Sequence, residues 1–315
     1  MNEDILIAGA GISGLSVATL LTEAGYKVKI VSSSSSPNIT SDKAAAFWFP
    51  YHISHQKKCI SWCLESYQNY EKLSHIPSSG ISMTKLIKVL RIGIDEAEPV
   101  WKLFMPKGSC KEMDKNNFPP GDYLTCYEII VPLIETQIFL PYLKNNLVEN
   151  GVEFETRKIN DLVSISAEAK IVVNCTGLGS RELCNDAQLI PVKGQVALLS
   201  PLKGMDIFLD NEKPLYIVPR RDAIIVGGTY EANIFTETTD ENVLENLLEN
   251  AYEVFPFLKN QQSIGSWAGL RPFRREVRVE REPGTNIIHN YGHGGSGFTL
   301  AFGSAGIVKN IIDAW

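Results

Sequence analysis

The chain has 315 residues, enough for about two domains or one large α/β unit. Lys plus Arg is 30 and Asp plus Glu is 36, so the formal charge is −6, which excludes nucleic-acid binding through net attraction to phosphates as the main role. Hydrophobic content of 44% and charged content of 21% exclude a disordered chain. The six cysteines form no CxxC pair and the five histidines no HxxxH or HExxH spacing. Reduced thiols in a cytoplasmic protein and no metal site are therefore expected.

In chain order, Asp4–Ala8 predicts a strand, followed by a glycine turn, a helix to Ala24 closed by Gly25, and a second strand over Tyr26–Val31, together a βαβ unit. Ile5–Thr22 carries no charge, but Glu3 and Asp4 precede it and three glycines interrupt it. It reads as strand–turn–helix rather than as a signal peptide or a membrane span. The ending IIDAW is not a peroxisomal signal. Residues 55–74 predict an amphipathic helix, 81–92 strands, 134–151 a second major helix closed by Gly151, and Val152–Thr156 and Ala169–Asn174 further strands. The runs GQVALLS, LYIVPR and AIIVGGTYE are separated by short turns and predict an antiparallel sheet. A helix over Asp240–Val254 with an Asp240 cap follows, then strands at Gly265–Leu270 and Asn286–Tyr291, a glycine-rich turn, and a closing helix over Gly297–Asp313. The nucleotide-type ends flank an antiparallel middle. The expected fold class is α/β, a Rossmann-like domain interrupted by a mixed, largely antiparallel sheet domain. The expected division is 1–75, 130–190 and 283–315 for the first domain, and 76–129 and 191–282 for the second.

Gly9, Gly11 and Gly14 form GxGxxG directly after a strand and at the opening of a helix. Glycine permits the tight turn and the approach of backbone to a pyrophosphate, and the helix N-terminus offers N–H groups and the positive end of its dipole. The second strand ends not in the usual ribose-binding acid but in Ser32 and Ser33, whose hydroxyls can hydrogen-bond a ribose without charge assistance. No arginine stands there for an NADP phosphate. The turn alone leaves NAD, NADP and FAD open.

Seven blocks occur in order: SDKAAAFWFPY (41–51), VVNCTGLGS (172–180), PVKGQ (191–195), LYIVPR, VGGTYE, GLRPFRREVRVERE (269–282) and HNYGHGGSGFT (289–299). Together they resemble the D-amino-acid oxidase family of FAD-dependent oxidoreductases, over Ile5 to about Val308. The resemblance implies FAD as cofactor. It places Ile12 and Ser13 with the glycine turn, and Thr40 and Ser41 at the phosphates. Backbone contacts of Ala45, Ala46 and Phe47 fall at the flavin centre, Ile159 beside the adenine, and Thr176 and Gly177 along the cofactor. Gly269 is added from the GLRP block, and His293, Gly294, Gly295, Ser296, Gly297, Phe298 and Thr299 from the last turn. That turn implies N–H groups facing the electron-rich end of the flavin ring. Cys175 reads as a small buried side chain.

Arg271 sits in an apolar run, where a guanidinium fork suits a carboxylate. By resemblance, Arg271 binds the α-carboxylate of an amino acid, Tyr216 and Tyr230 assist it, and the Gly295 carbonyl accepts a hydrogen bond from the substrate amine. Tyrosine at 230, where a D-aspartate oxidase would tend to place arginine, implies neutral substrates. Phe49 stands where mammalian members carry glutamine, and the short FLDNEKPL segment with Glu212 implies a reduced or absent lid. The expected reaction is oxidative deamination of neutral D-amino acids by dioxygen, giving 2-oxo acids, ammonia and hydrogen peroxide. Rival readings, in order, are a glycine or sarcosine oxidase, a D-aspartate oxidase, a non-catalytic FAD-binding protein and a NAD-dependent dehydrogenase. The expected partners are a small amino acid and dioxygen, with no nucleic acid and no membrane. A homodimer is one assembly open to the chain.

Overall fold

The uncharged N-terminal run folds as strand, turn and helix because both faces of its strand are covered. In β1 (Glu3–Ala8), Ile5 and Ile7 enter one core while Leu6 and Ala8 enter another on the opposite face of the sheet. The computed structural model describes residues 3–53, 57–91 and 99–315. Helix α1 (Ile12–Glu23) stops at Gly25, which takes the left-handed conformation. The Gly25 N–H bonds the Thr22 carbonyl and the Tyr26 N–H that of Leu21, a Schellman closure. Tyr26 thus belongs to the helix end, and the next strand, β2 (Val28–Ser32), begins two residues later than its apolar pattern predicts.

Helix α2 (Lys57–Leu73) and strand β3 (Ile81–Arg91) match the predicted spans within the described residues; positions 54–56 and Ile92 lie outside them. Strands β4 (Cys110–Glu112) and β5 (Tyr123–Ile134) were not predicted. Pro132 interrupts the sequence signal of β5, yet it costs little there, because its carbonyl accepts the Trp48 N–H from an irregular segment. Next come α3 (Thr136–Glu149), β6 (Glu153–Thr156), α4 (Leu162–Ser166), β7 (Ala169–Asn174), α5 (Ser180–Leu183) and β8 (Ile190–Leu199). Strands β9 (Ile207–Asp210), β10 (Leu215–Pro219), β11 (Ile224–Gly227) and β12 (Glu231–Ala232) lead to α6 (Glu241–Val254). As predicted, Asp240 caps that helix, its carboxylate accepting the Asn242 and Val243 N–H groups. Strand β13 (Ser263–Arg281) is far longer than the predicted Gly265–Leu270, and β14 (Ile287–His293) and α7 (Gly297–Asp313) close the chain.

All these strands join one mixed sheet in the order β4-β5-β3-β9-β10-β11-β8-β13-β14-β7-β1-β2-β6, with β12 on β8. From β14 to β6 every pairing is parallel. The pairs β10–β11, β11–β8 and β8–β13 are antiparallel; of these only β10 and β11 are joined by a short turn. The expected α/β architecture, a Rossmann-like part beside a largely antiparallel one, is present. Strand β13 joins the two parts, pairing β8 through Ser263–Phe273 and β14 through Phe273–Arg281.

Helices α1 and α2 both pack on α7. The α2–α7 crossing depends on Gly303: a Cβ there would overlap the Trp62 backbone, and the Gly303 N–H donates to Ser66 Oγ at 3.0 Å. At Gly306 the added atom meets only the flexible Glu65 carboxylate. Gly303→Ala is therefore expected to destabilise by about 1–3 kcal/mol through overpacking. Gly306→Ala should change stability little, or raise it by up to about 1 kcal/mol through helix propensity. Urea denaturation of the two variants checks the contrast.

Candidate active site

A cavity of about 680 Å³ opens along the carboxyl ends of β1, β7 and β14 and extends over β8, β10 and β13. This crevice is the ordinary ligand position of an open α/β sheet. Toward β2 and β6 its wall holds Ser32, Ser33 and Ile159. Beside β1 it holds Gly9, Gly11, Ile12, Ser13, Thr40, Ser41, Thr176 and Gly177. Toward the antiparallel part it holds Ala45, Ala46, Phe47, Tyr216, Gly269 and Arg271, with His293, Gly294, Gly295, Gly297, Phe298 and Thr299 from the last turn. Three of the predicted site residues do not line it: Gly14, Tyr230 and Ser296.

Gly14 acts from behind the wall. A Cβ on it would run into the Gly9 carbonyl, so the residue permits the turn rather than touching what the turn holds. The first turn of α1 has no side-chain cap from Gly11, and the hydroxyl of Ser41 accepts the Ile12 N–H at 3.1 Å. The remaining N–H groups of that turn have no intrahelical acceptor. Ser32 stands at the end of β2 as expected, but its hydroxyl donates to the Ser34 carbonyl at 2.7 Å, which leaves it an acceptor toward the cavity.

Residues Ala45–Phe47 are fixed against β5 by two backbone bonds, Trp48 N–H to Pro132 and Ile134 N–H to the Ala46 carbonyl. Ala46 is left-handed, at φ 54°, a conformation costly for a residue with a Cβ. The N–H groups of Ala45, Ala46 and Phe47 have no protein acceptor among the described residues. Arg220, buried at the end of β10, steadies this segment: its Nη1 donates to Thr136 Oγ1 at 2.9 Å and to the Ala44 carbonyl at 3.3 Å.

Arg271 projects over a floor made by two glycines. Its guanidinium lies against Gly194, and the Tyr216 ring lies against Gly227, its direct cross-strand partner; a Cβ at either glycine would collide with the ring or fork above it. Arg271 Nη1 donates to the Thr229 carbonyl at 2.8 Å, and no carboxylate pairs with it among the described residues. Tyr51 lies 5.9 Å from the guanidinium by ring centroid and makes an edge contact with Tyr230, which in turn stacks at a tilt on His52 at 4.6 Å. Tyr230 is 39% exposed and reaches this cluster from the rim, so the structure puts it beside Arg271 without placing it in the wall. Burial raises the phenols of Tyr51, Tyr216 and Tyr230, opposed in each by the nearby Arg271 charge, so all three are neutral donors. Burial and then Arg271 lower His52.

Sequence reasoning assigned no role to Tyr51, Arg220, Gly194, Gly227 or Gln195. Gln195 is fully buried: its N–H donates to Thr229 Oγ1, its Nε2 to Glu231 Oε1, and its Oε1 accepts the Asp240 N–H, each at 2.7 Å. It thus holds both chain neighbours of Tyr230 and the residue whose carbonyl fixes Arg271. An amide inside a continuous strand was the available signal. Between β9 and β10 only Asn211–Pro214 intervene, with the Asp210 carboxylate accepting the Glu212 and Lys213 N–H groups, too short a turn to cover the cavity.

His293 is buried between the first turn of α1 and the body of α7, Nδ1 3.4 Å from Ser13 Oγ and Nε2 3.2 Å from Ser304 Oγ. Burial pushes it down to about 4, so the imidazole is neutral. Ser296 and Thr299 spend their hydroxyls on backbone, Ser296 donating to the Tyr51 carbonyl at 2.6 Å and Thr299 to that of Phe49 at 2.9 Å.

A parallel nucleotide-type sheet whose glycine turn shares one cavity with an unpaired arginine and neutral phenols defines a dinucleotide-dependent enzyme. The family model described as FAD dependent oxidoreductase matches residues 4–311, and the chain belongs to that family. It is 33% identical to a D-amino-acid oxidase of Rubrobacter xylanophilus over 310 residues, 95% of this chain and 93% of that protein. It is also 33% identical to a D-amino-acid oxidase of Dictyostelium discoideum over 320 residues, covering 98% and 91%. Among solved structures, glycine oxidase from Geobacillus kaustophilus superposes with a TM-score of 0.86 at 18% identity, covering 100% of this chain and 95% of that one, which shows the shared fold. The cofactor is FAD. The residues present fit it: the N–H groups of Ala45–Phe47, without a protein acceptor among the described residues, and the α1 N-terminus meet in one cavity with both polar and apolar walls.

His289 is likewise buried and pushed down to about 4, by burial first and by Arg278 second. Between the ordinary histidine value of 6.5 and about 4, the unfolded chain binds protons that the folded chain refuses on His289 and His293. Stability should therefore be intact above about pH 6.5 and fall progressively toward pH 4. Urea midpoints measured across that range should show the fall, and His293→Gln should make it shallower, leaving the His289 contribution.

Proposed function

We propose that the enzyme oxidatively deaminates neutral D-amino acids, with a D-amino acid, dioxygen and water giving a 2-oxo acid, ammonia and hydrogen peroxide. The observation that carries the reading is Arg271, a cation without a carboxylate partner among the described residues, in the same cavity as the dinucleotide turn. When bound, the flavin supplies a two-electron acceptor that dioxygen regenerates. Arg271 grips the α-carboxylate, with Tyr216 and Tyr51 donating from neutral phenols. The Gly295 carbonyl takes a hydrogen bond from the amine, which fixes the direction in which the Cα–H points. The raised phenols of Tyr51 and Tyr216 stay protonated near neutrality and so are not bases there, which fits a substrate entering with its amine neutral. Phe47, Phe49, Val196 and Leu209 give the adjoining wall an apolar character suited to uncharged side chains.

In this reading the 1–75, 130–190 and 283–315 segments bind FAD, and the 76–129 and 191–282 segments bind the substrate; strand β5 runs across the 129/130 cut. A cytoplasmic location accords with six unpaired cysteines. Among the described residues no helix is long and apolar enough to cross a membrane.

Anaerobic addition of D-alanine should bleach the visible flavin absorbance, while L-alanine, glycine and D-aspartate should leave it; bleaching by glycine or D-aspartate alone would overturn the substrate assignment. Arg271→Ala should lower kcat/KM roughly 10³-fold or more while FAD remains bound. Steady-state kinetics beside the flavin spectrum of the purified variant checks this.

A further inference from the structure

Asn290 stands at the carboxyl end of the parallel strands. In register, β14 His289 pairs with β7 Asn174, and Asn174 with β1 Ala8. One residue further on, Asn290, Cys175 and Gly9 reach the crevice together and line the cavity. Asn290 is fully buried, yet neither its amide nitrogen nor its amide oxygen has a hydrogen-bond partner among the described residues. The nearest polar neighbour is the Cys175 thiol, which burial pushes up and which Asn290 partly pulls back; a thiol is a weak partner for an amide.

The neighbouring Asn174 shows what a satisfied amide on the same crest looks like. Its Oδ1 accepts the Thr176 hydroxyl at 2.8 Å and the Thr176 N–H at 3.2 Å, and its Nδ2 lies 3.3 Å from His289 Nδ1. Asn290 has none of this. A buried amide left unpaired is costly, and leucine would fill the same space without that cost. An amide offers a donor and an acceptor side by side. A bare phosphate accepts only and would meet the amide oxygen with repulsion, whereas a hydroxyl can answer both.

We propose that the Asn290 amide is a cofactor contact, holding a sugar hydroxyl of the bound FAD. The inference rests on FAD as the resident cofactor and adds a residue to its site. It has a thermodynamic signature that a structural asparagine would not give. Removing the amide takes at most its weak contact with the Cys175 thiol from the apoprotein, so nearly the whole loss falls on cofactor binding.

The experiment compares wild type, Asn290→Leu and Asn290→Ala as apoproteins. Urea denaturation measures apoprotein stability, and quenching of flavin fluorescence measures FAD affinity. The Leu variant should be at least as stable as wild-type apoprotein, and its Kd for FAD should rise about tenfold, the worth of one or two hydrogen bonds. The Ala variant, which imposes no bulk, should also weaken binding and so guards against a steric artefact in the Leu variant. A parallel titration with ADP locates the hydroxyl: weakened ADP binding places it on the adenosine ribose, unchanged ADP binding on the ribityl chain. Unchanged FAD affinity in both variants overturns the proposal and leaves the amide to an ordered water. Apoprotein destabilisation with FAD affinity retained overturns it in favour of a structural role. Failure of the wild-type chain to bind FAD would overturn the cofactor reading itself, a result separable from either.

Discussion

The Arg271 guanidinium is half-buried without a counter-charge among its described neighbours, and much of the antiparallel part exists to tolerate that. Removing a cation from water is expensive unless dipoles replace the lost hydration. Here the Thr229 carbonyl and three neutral phenols do so, and the two glycine floors let the fork and the Tyr216 ring lie close to the sheet. Gln195 fixes Thr229 from beneath and anchors α6 through Asp240. The overall charge of −6 gives no long-range attraction for an anionic substrate or cofactor, so local positive potential must come from this guanidinium and from the helix N-termini.

The nucleotide half solves the complementary problem, backbone N–H groups left without protein acceptors. Ser41 satisfies one of them on α1, and His293 ties the first turn of α1 to α7 through Ser13 and Ser304. An imidazole held neutral in that position links the α1 N-terminus to α7 without adding a charge to either. Ala46 carries its strained conformation because β5 holds its carbonyl and the Trp48 N–H while Arg220 holds the Ala44 carbonyl.

Local chemistry made much of this legible in the sequence. The glycine spacing, the Gly25 stop and the Asp240 cap each depend on neighbours a few residues away, and each is where the pattern put it. Contacts between distant segments were not legible. Gly194 and Gly227 look like ordinary strand glycines until Arg271 and Tyr216 lie across them, and Pro132 conceals β5 until Trp48 takes its carbonyl. Tyr51 follows Pro50 in a quoted block, but only the fold brings its ring near a guanidinium more than two hundred residues away. Ser32 occupies the expected end of β2, while its turn with Ser34 depends on loop geometry that composition does not encode.

Strand β13 crosses from one part of the sheet to the other, first on β8 and then on β14, with its register to β14 shifting between Phe273 and Arg278. One covalent strand and its ladder thus link the wall proposed to hold FAD to the wall proposed to hold the amino acid. In the proposed reading the separation of the two reactants is set by a strand shared by both walls rather than by a linker between them. Adaptation to side chains of different size falls to rim groups such as Tyr230 and His52, which can swing while the ladder stays still.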